Sequence, residues 1–391
     1  MIPVQQIQQA LEAEKLDGWL LYDFRGSNVI ARRIVKRDDK IATRRWFYFI
    51  PVTGSCSKIV HAIEAETLDH LPGEKFIFRS WQDLHRLLGE LLKGKNAIAM
   101  EYSAENDIPY ISMVDSGTIE LVRKTGVNVI SSGDLVQQFE ARWDEDQKKS
   151  HFEAVKRVDD TKNEGFRFIS ENIRNGKAIT EYDVQQFMWE LFEKKSLTAD
   201  HPAIVAVNSN ASNPHYSPEK HQSSLIRNGD LVLIDIWGKL KEPGAIYGDI
   251  TWMGYVGKDV PSEKKEIFDI VKNAQQAAFQ LIVENFRKGE TTFGWQADQA
   301  ARDYISDRGY GEYYLHRTGH NIGQEVHGNG AHLDNLETRD LRKLIPETGF
   351  SIEPGIYLPE FGVRSEIDVY ISGEIGPVIT SPEQTVILKL L

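Results

Sequence analysis

Four short apolar runs punctuate the first 140 residues: Asp17 to Tyr22, Trp46 to Ile50, Lys75 to Phe78 and Ala97 to Met100. Each has the length and the branched or aromatic content of a β-strand. Between the third and fourth runs, Leu84, Leu87, Leu88, Leu91 and Leu92 recur at three- and four-residue steps, which predicts one amphipathic helix ending near Gly94. Strands that alternate with helical patterns predict an α/β layer.

The pattern changes after that. From Ala141 to Lys162 the chain is highly charged and poor in branched apolar residues, which predicts an exposed helix leaving one domain and entering another, with the boundary near residue 140. Thr180 with Asp183 three residues on approximates a capping box and opens the next helix. Strands are expected around 203 to 207, 231 to 237 and 246 to 256. A long helix is expected from Pro261-Ser262 to about Phe286, a further one from about Phe293 to near Gly309, and then more strands. Helices followed by strands therefore occur twice, a faint duplication of architecture and not of sequence. The fold class expected is α/β (α+β), with domains at 1–140 and 141–391.

Length supports two cores, since 391 residues exceed what one ordinary core accommodates. Composition, 41% hydrophobic and 27% charged, is that of a globular protein, and no apolar run approaches the roughly 18 residues that cross a bilayer. Residues Met1 to Gln5 lack the basic stretch and apolar core of a secretory signal, and the single Cys56 excludes an internal disulfide framework or a thiolate-rich zinc site. Both favour a cytoplasmic protein. A net charge of -12 argues against a dedicated nucleic-acid binder. The partners expected are small or peptide ligands, with neither nucleic acid nor membrane.

The chemistry begins at Asp235, which sits in the nearly continuous apolar stretch from Asp230 to Trp237, where an ionised carboxylate is costly unless paired or bound to a cation. Folding the chain back about the Lys241 to Gly244 turn brings Asp249 across a hairpin, so that two carboxylates face each other with no lysine or arginine between them. The construction recurs downstream: Ser351 to Gly355 and Gly362 to Glu366 flank a turn at Pro359-Glu360, which makes Glu353 and Glu366 cross-strand neighbours. Four mutually repelling acids are commonly relieved by a divalent ion. Between the two pairs lies the glycine-containing stretch from Arg317 to Gly328, where His320 can add a nitrogen ligand. Taken singly, each acid has an ordinary alternative as a hydrogen-bonded core carboxylate or turn cap, and a lone histidine as a core or surface residue. Jointly, one nitrogen and four carboxylates suit two divalent ions such as manganese, zinc, cobalt or iron.

These residues resemble the family of methionyl aminopeptidases, Xaa-Pro aminopeptidases, prolidases and creatinases, over essentially the whole chain. The resemblance implies a creatinase-type N-terminal domain followed by a catalytic domain of pita-bread fold. It also implies a metal-ligand set of Asp235, Asp249, His320, Glu353 and Glu366, in which Asp235 chelates one ion, His320 and Glu353 hold the other, and Asp249 and Glu366 bridge. Glu353 in Ile352 to Tyr357 and Glu366 in Gly362 to Glu366 lie in stretches close to the family's wording. The histidines of the family fall on His215, His316 and His327, and Arg364 matches an arginine that neutralises residual carboxylate charge. The ordinary alternative for these three histidines is a solvated, histidine-rich loop, since His332 also lies nearby. The large leading domain and His316 point to the proline-specific branch.

What the resemblance implies as function is a manganese-dependent exopeptidase that splits Xaa-Pro bonds in peptides or dipeptides through a hydroxide bridging two ions. Glu353 would carry protons, and His327 and His215 would stabilise the oxyanion and position substrate. Such proteins are homodimers or larger. The alternatives are a metal-free creatinase-like hydrolase of a small C–N substrate and a silent binding protein, and the intact ligand set counts against both. Three departures stand out: the two aspartates are fourteen residues apart, a longer interval than is usual, Asn321 replaces the commonest glycine, and Ser365 an apolar residue.

Overall fold

The apolar runs of the leading part become adjacent strands of one sheet in the computed structural model, which describes residues 2–37 and 40–391. The strands are β1 (Gly18–Asp23), β2 (Trp46–Pro51), β3 (Ser57–His61), β4 (Glu74–Phe78), β5 (Ala97–Met100) and β6 (Asn128–Ser131), in the order β4-β3-β2-β1-β5-β6. Helices α1 (Val4–Ala13), α2 (Val29–Ile34), α3 (Trp81–Leu92), α4 (Ser116–Arg123) and α5 (Gly133–Glu140) cover its two faces. Alternation along β1 divides the core: Trp19 and Leu21 pack with residues of α1, α2 and α5, whereas Leu20 and Tyr22 pack with α3 and α4. Helix α3 opens on a capping box of Ser80 and Asp83. Gly94, just beyond its end, takes a left-handed φ of +76°, a conformation in which a side chain would be strained.

The chain divides into two compact units, Met1–Glu140 and Ala141–Leu391. In the second, α6 (Glu145–Arg174) corrects the expectation of an exposed connector. It has 30 residues, and His151, Ala154, Val155, Val158, Thr161, Lys162 and Gly165 form a buried stripe. The stripe escaped notice because it is built largely of small and polar residues. The reason for small residues is close packing: a Cβ on Gly165 would lie 2.6 Å from the Met188 sulfur. Helix α7 (Glu181–Lys194) starts at the Thr180–Asp183 capping box.

Strands β7 (Leu197–Thr198), β8 (Ile204–Val207), β9 (Leu231–Leu240) and β10 (Gly248–Tyr255) follow, then α8 (Ser262–Lys288) and α9 (Gly294–Ser306). The chain continues through β11 (Asn321–Ile322), β12 (Gly349–Ile352), β13 (Gly355–Tyr357), β14 (Gly362–Arg364), β15 (Ile367–Ser372), β16 (Gly376–Ile379) and β17 (Leu388–Lys389). One sheet runs β17-β10-β9-β7 with β8 also on β9, a second runs β11-β12-β15-β16, and β13 pairs with β14. β9 sends Val232, Ile234 and Ile236 into the core shared with α6 and α7, and Leu231 and Leu233 into the core shared with α8, α9, β12 and β15. Alternation then assigns Asp235 and Trp237 to the second face, toward the other half of the unit. Among the described residues no helix is long and apolar enough to cross a membrane.

Candidate metal centre

The β9–β10 ladder places Thr251 opposite Asp235 and Asp249 opposite Trp237. Asp235 and Asp249 are therefore diagonal neighbours on one face and not directly opposed as the sequence suggested, because Asp235 pairs with Thr251, two residues beyond Asp249. The downstream pair keeps the expected register. Ile352 pairs with Ile367 and Gly355 with Arg364, so Glu353 and Glu366 meet in the gap between the two ladders, beyond a turn closed by Leu358 N–H donating to the Phe361 carbonyl at 3.1 Å.

These segments bring donor atoms of Asp249, His320 and Glu366 within 4.8 Å of one another, all three residues buried. His320 Nε2 lies 3.5 Å from Asp249 Oδ2 and 3.3 Å from Glu353 Oε1. The histidine is held by its own backbone, whose N–H donates to Ser351 Oγ at 3.0 Å, and Ser351 Oγ in turn donates to Glu353 Oε1 at 3.1 Å. Glu366 Oε2 accepts from the Thr251 hydroxyl at 2.8 Å. Asp249 Oδ1 and Glu366 Oε1 have no hydrogen-bond partner among the described residues.

Asp235 is engaged differently. Its carboxylate pairs with Arg364, which also donates to the Tyr357 hydroxyl at 3.0 Å and to Thr251 Oγ1 at 3.2 Å. No lysine or arginine of the hairpin itself stands between the two aspartates; Arg364, distant in sequence, places its guanidinium on Asp235, in keeping with its expected place beside the carboxylates. Burial, and next the charge of Asp235, push the Asp249 carboxyl well above the ordinary carboxylate range, and burial with the Asp249 charge does the same to Glu366. Burial likewise lifts Glu353 to about 7, opposed by Arg364.

The remaining histidines fall in three settings. His327 packs its ring edge against His320 with centroids 4.3 Å apart, and burial lowers its pKa to about 4. His215 is exposed and close enough for its charge to act on His327. The ring of His316 is occupied at both nitrogens, by the Arg317 carbonyl at 2.7 Å and the Tyr357 hydroxyl at 2.6 Å. A neutral ring with the proton on Nδ1 satisfies both contacts, since Nε2 then accepts from Tyr357. His332 is fully buried, not part of a solvated loop, and its Nδ1 accepts from the Asn321 N–H at 3.0 Å. Asn321 ties three backbone segments together: its side-chain amide donates to the Gly349 carbonyl at 2.8 Å and accepts from the Gly330 N–H at 2.9 Å. Ser365 donates its backbone N–H to the Pro354 carbonyl at 3.4 Å.

Sequence reasoning missed Thr251, Ser351, Tyr357 and Asp368. Asp368 is fully buried and accepts from the Asp249 N–H at 2.9 Å. Strand alternation carried a signal for two of them, because Thr251 follows Asp249, and Asp368 follows Glu366, by two residues.

The donor set suits a divalent cation. Three of its four nearest side chains are carboxylates, two buried oxygens have no donor among the described residues, and the adjoining imidazole is neutral because burial holds its pKa well below the usual value.

Comparison with known proteins agrees with this picture. The profile of metallopeptidase family M24 matches residues 153–373. The chain is 38% identical over 192 residues to the uncharacterized peptidase YqhT of Bacillus subtilis, covering 47% of this chain and 48% of that one. It is 35% identical over 207 residues to an Xaa-Pro dipeptidase of Lactobacillus delbrueckii subsp. lactis, covering 51% and 50% respectively. It thus spans about half the length of these two relatives. The crystal structure of dipeptidase PepE from Mycobacterium ulcerans superposes with a TM-score of 0.69 over 99% of this chain and 96% of that one, at 21% identity. The two-unit architecture is thereby the pita-bread fold with its leading α/β layer.

Proposed function

Because the chain belongs to metallopeptidase family M24, we propose that it is a two-metal exopeptidase that hydrolyses the bond between a first residue and a following proline, in dipeptides or at peptide amino termini. The observation that carries this is the convergence of Asp249, His320 and Glu366 within 4.8 Å, with one oxygen of each acid left without a protein donor. Asp235 and Glu353 complete the set that would hold two ions, and the preponderance of carboxylate oxygen favours manganese. When bound, such ions polarise the substrate carbonyl and acidify water.

The protein's own groups supply the rest. Glu353, 3.3 Å from His320 Nε2 and steadied by Ser351, takes the proton of the attacking water and passes it to the proline nitrogen as the C–N bond breaks. His327, neutral at physiological pH because burial lowers it to about 4, donates an N–H to the developing oxyanion, with His215 beside it on the exposed rim. Arg364 pairs with Asp235 and is itself fixed by Tyr357, which His316 orients. Proline fits this kind of site because its tertiary amide has no N–H and its ring fixes φ, so peptidases that bind an extended strand accept it poorly. The single buried Cys56 agrees with work in a reducing cytoplasm.

The test is hydrolysis of Ala-Pro and Ala-Pro-Ala by protein treated with chelator and then reloaded with manganese. Turnover that disappears with chelator and returns with manganese is expected. Chelator-insensitive turnover of a small amidine, with no cleavage of either peptide, would overturn the proposal in favour of a metal-free hydrolase.

A further inference from the structure

Trp237 follows Asp235 by two residues on β9, so the pleat sends both side chains to one face, and it stands directly opposite Asp249 in the ladder. A half-buried indole therefore borders the donor cluster. The ring is fixed: Nε1–H donates to Asp200 Oδ1 at 2.8 Å, and the indole packs with Ala199 and Val326 against a cluster that includes Tyr247 and Ile322. Asp200 is exposed on the loop between β7 and β8, yet near enough for its charge to act on His327 and Tyr247.

The two ends of this face differ. At one end Thr251 lies opposite Asp235, with Arg364 bonded to both and Glu353 Oε2 4.0 Å from the Arg364 Nε. At the other end, beyond Trp237, Lys239 Nζ donates to the Gln324 carbonyl and the Tyr247 N–H to the Gly323 carbonyl at 3.1 Å, which anchors the loop carrying His327. If Glu353 protonates the leaving nitrogen, proline occupies the Arg364 end. The residue before the scissile bond, with its free ammonium group, then occupies the Trp237 end, where the Asp200 carboxylate suits a cation.

Resting on the peptidase proposal above, we infer that Trp237, held by Asp200, is a specificity-determining residue that walls the pocket for the first residue and restricts it to small side chains. A hydrophobic pocket that gains or loses a few methylene-sized volumes discriminates by roughly 10- to 200-fold. The discriminating quantity is the ratio of kcat/KM for Leu-Pro to that for Ala-Pro, measured on the manganese-loaded full-length chain.

Wild type should prefer Ala-Pro. Trp237→Ala should raise the Leu-Pro to Ala-Pro ratio by about tenfold or more, chiefly through KM. Trp237→Phe should restore most of the wild-type preference. Asp200→Ala, which frees the indole without removing it, should shift the ratio the same way by less. A ratio unchanged in both Trp237→Ala and Asp200→Ala, with Ala-Pro still cleaved, overturns the pocket and leaves the peptidase standing. Should Trp237→Ala not fold, an unchanged ratio in Asp200→Ala alone overturns it. Absence of turnover of any Xaa-Pro substrate by loaded wild type would bring down the peptidase proposal, and the pocket with it.

Discussion

Each unit of the chain buries carboxylates at the ends of apolar strands, but it treats them differently. In the leading unit Glu101 is fully buried, and its oxygens accept from the Trp19 indole at 2.6 Å, the Asn28 amide at 2.7 Å and the Ser132 hydroxyl at 3.2 Å. In the second unit Asp249 and Glu366 are nearly as well hidden, yet each keeps an oxygen with no partner among the described residues. Burial raises the pKa of all three acids, against hydrogen bonds at Glu101 and with mutual repulsion at the other two. Burial and a raised pKa therefore do not by themselves mark a site. What separates Glu101 from Asp249 and Glu366 is whether the protein finishes the acid's hydrogen bonding.

The largest effect that would break this contrast is at Asp249. Asp249→Asn keeps the shape and removes the charge, so kcat/KM on Ala-Pro should fall by a factor on the order of 10⁴ and bound manganese should be lost. The same change should raise the melting temperature of metal-free protein, because it removes one member of a repelling cluster. Undiminished activity would show that Asp249 is an ordinary core acid. Glu101→Ala should do the reverse: it strands three buried donors, costs about 2–5 kcal/mol in urea unfolding of the full chain, and leaves kcat of the folded enzyme unchanged. Unaltered urea stability would mean that the Glu101 hydrogen bonds are not what holds that acid.

The contrast also measures what the sequence could disclose. Asp249, His320 and Glu366, whose donor atoms lie within 4.8 Å of one another, were legible because a carboxylate inside an apolar strand is conspicuous, because Pro359-Glu360 marks the turn that opposes Glu353 to Glu366, and because their order resembles a family's ligand set. The diagonal placement of Asp235 and Asp249 was not legible, since the loop between β9 and β10 can absorb a two-residue shift and nothing local fixes which residue pairs with which. Helix α6 read as exposed because charged residues surround its buried stripe, in which His151, Thr161, Lys162 and Gly165 interrupt the apolar positions Val155, Val158, Phe166 and Ile169. Tyr357 and Ser351 act through contacts that neither periodicity nor charge announces. The satisfied acid, Glu101, gave no signal either, because its donors Trp19, Asn28 and Ser132 come from three separate segments.

A smaller effect sharpens the distinction within the candidate metal centre itself. The Arg364, Tyr357 and His316 arm is hydrogen-bonded throughout, like Glu101, and its guanidinium pairs with the acids through Asp235. Tyr357→Phe should lower kcat by roughly 10- to 100-fold with KM and metal content little changed, as removal of an outer hydrogen bond typically does. Loss of manganese in that variant would show that the arm builds the site instead of orienting it.

The smallest effect is a pH dependence of stability, and its sign separates the two kinds of acid. Glu353 titrates at about 7 in the folded protein against an ordinary value of 4.5, so between these values the unfolded chain has released a proton that the folded one retains. Stability contributed by that retained proton is lost as pH rises toward and through 7. His151, His316 and His327, lowered to about 4, about 3 and about 4, oppose this trend up to about pH 7.5, because near their ordinary value of 6.5 the unfolded chain still holds protons that the folded one refuses. Only above about pH 7.5 are they neutral in both states, so that they drop out. Metal-free wild type should therefore lose more melting temperature between about pH 5 and about pH 8 than metal-free Glu353→Gln, which lacks that titration but keeps the histidines, measured by scanning calorimetry with chelator present. Manganese should abolish the slope contributed by Glu353, Asp249 and Glu366, because a bound cation takes the place of their protons, and should leave any slope from Glu101 untouched. An identical slope with and without manganese would mean that the unpartnered oxygens of the second unit do not meet a cation at all.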